Sequence, residues 1–130
     1  MRSFALDDGE TMIVNGATLR APFACDLLID PDATVLRGDD LMTPDQATTP
    51  ARQLYVACLA AYCGHDRVAQ HHRIIAALQI VLAGQTDDAA RAVSVRFANA
   101  VAARDYVRGL AECRTLIAQE DGPRGAMLAA

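Results

Sequence analysis

Apolar positions in this chain change their period near residue 40. Between residues 3 and 37, short apolar runs alternate with turn residues, as in strands; from residue 50 they recur every three or four positions among many alanines, as in helices. Strands are expected at residues 3–6, 10–14, 17–20, 25–29 and 34–37. The sharpest local signal is Asn15-Gly16, because both residues tolerate positive φ and suit a two-residue type I′ hairpin between the second and third strands. Asp7-Asp8-Gly9 and Asp30-Pro31-Asp32 mark two further turns.

The second half opens with two repeats of one signature. Thr43-Pro44 and Thr49-Pro50 each set a capping hydroxyl before a proline, which predicts a single helical turn over 43–47 and a true helix from 50. That helix runs to about 63, with Leu54, Cys58 and Ala61 on one stripe, Tyr55, Leu59 and Tyr62 on the next, and Gly64 as its stop. A second is expected over 66–83 with Val68, Ile75, Leu78 and Leu82 inward. A third is capped by Thr86, carries Asp87 and Asp88 in its first turn and buries Ala90, Val93, Phe97 and Val101. A fourth starts near Asp105, buries Tyr106, Leu110, Cys113 and Ile117, and stops at Gly122-Pro123. The expected fold class is α+β: a small five-stranded antiparallel β module over 1–42, a linking turn at 43–49, a three- or four-helix antiparallel bundle over 50–122, and a frayed tail at 123–130.

Composition narrows the chemistry. With 130 residues, 52% of them hydrophobic, the chain buries enough surface for one domain or two small modules. Its start has no apolar segment of signal-peptide length, and the run over 74–83 is about half of what spans a bilayer, so a soluble cytoplasmic protein without a membrane segment is expected. Cys25, Cys58, Cys63 and Cys113 form no C-x-x-C pair and read as reduced core residues. Cys63, His65, His71 and His72 match no structural-zinc spacing, so no metal or other cofactor is expected. Ser3 and Ser94 are the only serines and neither has a neighbouring histidine, and a chain without lysine has no P-loop. Glu10, Asp7-Asp8 and Asp39-Asp40 read as solvated turn carboxylates; an enzyme with a small-molecule substrate is not expected.

All twelve basic residues are arginine. Three face nine Asp and Glu before residue 51, and nine face seven after it, for a net charge of −4. Neither half is a basic patch, so any nucleic-acid binding rests on a few placed arginines rather than long-range attraction.

Several motifs, in order, resemble the FlbT family of flagellum biosynthesis regulators: Gly9-Glu10; Val14-Asn15-Gly16-Ala17 with Leu19; Val35-Leu36-Arg37; Asp40-Leu41-Met42; Thr49-Pro50-Ala51-Arg52 with Tyr55; Asp105-Tyr106; Cys113-Arg114; Leu116-Ile117; and Glu120. The resemblance implies post-transcriptional control of flagellin, by association with the 5′ untranslated leader of its messenger RNA and promotion of decay, with activation in some relatives. It also implies work beside a second small flagellar protein, FlaF. The chain departs from the pattern at Asp8, where proline is usual, at Gly38, which replaces an acidic residue, and at Ala103-Arg104, which replaces an Asn-Gly-like link.

Phe4-Ala5-Leu6 before Gly9-Glu10-Thr11-Met12-Ile13, and Ala33-Thr34-Val35-Leu36-Arg37 before acids and Leu41, are similar to motifs of the CsrA family of messenger-RNA-binding regulators, a swapped homodimer of five-stranded chains. That comparison implies RNA contacts at Leu6 and Arg37, although its basic first turn is Asp7-Asp8 here and one residue is inserted after Arg37. The candidate RNA-binding residues are thus Arg37, Arg20, Arg2, Leu6 and Phe23, the last either stacking on a base or covering the sheet's core. Arg52 and Tyr55 are the candidate partner-binding pair. Two functions stay open: direct binding of the flagellin messenger leader, or an adaptor for flagellin or FlaF that affects the messenger indirectly. Short sheet edges also predict a homodimer through the β module.

Overall fold

The computed structural model describes residues 1–129, with side chains described through residue 122. It is α+β, with five antiparallel strands and four α-helices. The chain divides into two compact units, Met1–Leu41 and Met42–Ala130.

The first unit holds β1 (Arg2–Leu6), β2 (Thr11–Val14), β3 (Ala17–Arg20), β4 (Cys25–Ile29) and β5 (Val35–Arg37). They form two small sheets rather than one. β1 pairs β4, with Arg2 opposite Ile29, while β2 lies between β3 and β5. Asn15 and Gly16 both take positive φ, 50° and 84°, as the type I′ turn requires, and Val14 pairs Ala17 across it. The Asn15 side chain does a second job: its Oδ1 accepts from the Thr34 N–H at 2.9 Å, and the Asn15 N–H donates to the Thr34 carbonyl at 2.9 Å, which fixes where β5 joins β2. Leu6, Met12, Ala21 and Ile29 form the buried core, with Phe4, Val14, Cys25, Leu27, Ala33 and Val35 packed around them.

Short 3₁₀ turns follow at Gly38–Asp40 in this unit and at Pro44–Gln46 in the next, the latter boxed by Thr43 and Gln46, whose Oε1 accepts from the Thr43 N–H at 2.9 Å. The second unit is built from α1 (Pro50–Tyr62), α2 (Arg67–Ala83), α3 (Asp88–Ala102) and α4 (Tyr106–Ala129). α1 packs on both α2 and α4, and α4 also packs on α3. Tyr55, Leu54, Cys58, Phe97 and Cys113 are almost wholly buried. Gly109 permits the close approach of α4 to its neighbours: a Cβ there would meet Cys58 Sγ at 3.2 Å and Val101 at 3.4 Å.

Two helical expectations are corrected. Asp87, not Thr86, caps α3, its side chain accepting from the Ala90 N–H at 2.6 Å. α2 turns Gln70, Ile74, Ala77 and Val81 inward, while Val68, Ile75 and Leu82 are exposed and Leu78 is half-buried. The stop expected at Gly122 is present: Gly122 leaves helical geometry, at φ 26° and ψ −129°, and a second helical stretch follows it to Ala129. The frayed tail expected at 123–130 concerns side chains outside the described residues.

Candidate functional site

Strand β1 places Arg2, Phe4 and Leu6 on one face, because alternate residues of a strand point the same way. Leu6 faces the core at 3% exposure, and Phe4 is half-buried beside it. On β5, Arg37 lies opposite Met12 of β2, and its side chain reaches β1.

The Arg37 guanidinium is held at three points. Its Nη2 donates to the Ala5 carbonyl at 2.8 Å and to Glu10 Oε2 at 2.5 Å, and its Cζ lies 5.9 Å from the Phe4 ring centre. Arg2 approaches the same ring at 5.3 Å and donates to the Ala33 carbonyl at 3.4 Å. Glu10 is fixed in turn by the Asp7 N–H, which donates to its Oε1 at 3.0 Å. That backbone bond first, and the Arg37 bond second, hold the Glu10 carboxyl below its ordinary range. The Arg37 and Glu10 side chains keep 33% and 25% of their surface exposed. The result is a half-buried aromatic ring with two guanidinium groups over it, the Arg37 side chain one third exposed. The guanidinium planes supply the chemistry that receives an unstacked base or a phosphate.

The other candidates fall elsewhere. Arg20 ends β3 opposite Thr11, one residue before the Met12 that faces Arg37, so Arg20 and Arg37 take opposite faces of the three-stranded sheet. Phe23 sits in the turn after β3 at 66% exposure, away from the core. Arg52 forks onto Asp121 at 3.2 and 2.7 Å and reaches Glu120 at 3.4 Å, which lowers the Asp121 carboxyl pKa. Tyr55 is a core residue, 1% exposed, with Arg114 4.7 Å over its ring and donating to its hydroxyl at 3.2 Å. Glu10 and Phe4 were not among the candidate contacts. Phe4 was legible two residues after Arg2 on a strand, but the pairing of Glu10 with a residue 27 positions away was not.

Burial pushes the Cys58 thiol up to about 12 and raises that of Cys113 as well, so neither is a thiolate at neutral pH. Among the described residues, no three His, Cys, Asp or Glu side chains converge as a metal would need. No helix among them is long and apolar enough to cross a membrane.

A family profile described as "Flagellar protein FlbT" matches residues 3–122. The chain is similar to the "Flagellum biosynthesis repressor protein FlbT" of Caulobacter vibrioides, 29% identical over 119 residues that cover 90% of this chain and 84% of that protein. It is also similar to the "Probable flagellum biosynthesis repressor protein FlbT" of Agrobacterium fabrum, 45% identical over 51 residues, 39% of this chain and 34% of the relative. The protein of the same name in Brucella ovis is 43% identical over 53 residues, 41% of this chain and 35% of that protein. No solved structure is significantly similar.

Proposed function

This chain belongs to the FlbT family of flagellar proteins, and we propose that it binds the 5′ untranslated leader of flagellin messenger RNA and promotes its degradation. The coarser role is regulation of flagellum synthesis, as the names of its relatives state. The finer role rests on one observation above all: Arg2 and Arg37 lie over the half-buried Phe4 ring, with Glu10 fixing the second arginine. Two guanidinium planes suit unpaired bases in a loop, which proteins read by stacking and a few hydrogen bonds rather than by massed charge. In this reading the protein is a regulator and not a catalyst, works in the cytoplasm where the transcript is, and pairs with a second copy through the β module, where β3 is fully exposed along its length.

The test is a gel-shift titration of the whole protein against the flagellin leader, with Arg37→Ala and Arg2→Ala in parallel. Sub-micromolar binding by the parent and at least a tenfold loss in each variant are expected. A second reading, an adaptor for flagellin or FlaF, is favoured by the net charge of −4, which gives a polyanion little long-range attraction. No shift with folded protein would replace the first reading by this one.

A further inference from the structure

The outer side of α2 is apolar in a way its own fold does not use. Val68 is 72% exposed, Ile75 56% and Leu82 37%. They recur every seven residues and so fall on one stripe of the helix. An alanine follows each of them, Ala69, Ala76 and Ala83, and His72 and Gln79 complete the face between. Isolated apolar side chains at a surface are ordinary, whereas three aligned along a whole helix mark a contact surface.

The spacing identifies what fits it. Set a second α2 antiparallel to the first, with a two-fold axis passing between Ile75 and Ala76. Val68 then meets the partner's Ala83, Leu82 meets the partner's Ala69, and Ile75 meets the partner's Ala76. His72 falls opposite the partner's Gln79, and each match occurs twice. Each of these three side chains is thus offered the space above an alanine, and the two polar residues are offered each other. A partner of different sequence has no need of a pattern that is symmetric about the helix midpoint, but a self-complementary contact requires one. We propose that this face of α2 pairs antiparallel with the same face of a second copy of the chain.

Charge permits the pairing. α2 has no Asp or Glu, and its two arginines point to their own chain: Arg67 donates to the Ala61 carbonyl at 3.4 Å and Arg73 to Gln70 at 3.4 Å. Neutral histidine and glutamine both donate and accept, so the His72 and Gln79 match satisfies itself. Alanines let helix axes approach to roughly 8 Å, and antiparallel dipoles attract. Eight residues on each side are fewer than the roughly 20–30 of a standard interface, so the pair forms reversibly and grows with concentration.

Sedimentation equilibrium on the whole protein at pH 8, up to several hundred micromolar, tests this with three variants. Ile75→Arg weakens association at least tenfold, with an unchanged circular-dichroism melt because the position is exposed. His72→Glu alone does not tighten association. His72→Glu combined with Gln79→Arg tightens it several-fold over His72→Glu alone at low salt, and the gain disappears in high salt: Arg104 lines the same hollow as His72 in both variants, whereas the two new charges, seven residues apart within one helix, reach each other only across the axis. The β-module pairing proposed above is untouched by these changes and common to every variant, so the differences among the variants read the association that α2 adds to it. No self-association of the parent, association unaltered in Ile75→Arg, or a double variant no tighter than His72→Glu alone would each overturn the proposal.

Discussion

Arg37 shows how few atoms set the chemistry of the surface it occupies. An arginine at the end of a three-residue strand has a long, mobile side chain, and what fixes it is Glu10, itself fixed by the Asp7 N–H. The Glu10 carboxyl is held below its ordinary value of 4.5, so folding binds fewer protons there than the unfolded chain does near that pH. The stabilisation is therefore present above about pH 4.5 and is lost as pH falls through the lower folded value. Glu10→Gln should melt at a lower temperature than the parent at pH 7, and the gap should narrow as the pH falls below 4.5; a gap constant with pH would mean that ionisation of Glu10 contributes nothing. At this scale the sequence was partly legible. Arg2 and Phe4 share a strand face by parity alone, but Glu10 read as a solvated turn carboxylate because its partner is 27 residues distant. Leu6 and Tyr55, candidate contacts by resemblance, are core residues, 3% and 1% exposed, as the apolar stretches around them also imply.

Among elements, caps and turns were the most legible features, because they are local chemistry. Asn15-Gly16 forms its hairpin, and Thr49-Pro50 starts α1, with the Thr49 hydroxyl accepting from the Arg52 N–H at 3.4 Å. Even here a neighbour was misread: Thr86 and Asp87 are both capping residues, and the choice falls on the carboxylate, which also meets the helix dipole. Asp87→Ala should cost about 1 kcal/mol in chemical denaturation, and Thr86→Ala only a few tenths. Equal losses would refute the assignment. The inward face of α2 depends on packing rather than on local chemistry. Ile74 and Ile75 are adjacent, as are Ile80, Val81 and Leu82, so two stripes are almost equally apolar, and packing against α1 selects the one that contains Gln70. What remained outside is the stripe that carries the proposed self-contact.

For the molecule as a whole, the charge balance governs how it meets a polyanion. With two arginines per chain engaged, the logarithm of affinity for single-stranded RNA should fall with a slope of about −1.4 against the logarithm of salt, or about sevenfold between 50 and 200 mM. Filter-binding isotherms at several salt concentrations measure that slope, and a loss of a hundredfold or more would require additional cations at the interface. The sequence by itself determined the α+β class, the order and approximate limits of nine regular elements, most caps and turns, and the family, because periodicity, φ preference and motif order are all properties of short stretches of chain. Tertiary structure decided what depends on distant residues meeting. It split five strands into two sheets, turned α2 by about one residue position, placed Arg20 and Arg37 on opposite faces, and brought Arg2, Phe4, Glu10 and Arg37 together. The physical reason is that pairing and packing energies depend on the partner surface, and a local pattern specifies that an apolar face exists without specifying what will cover it.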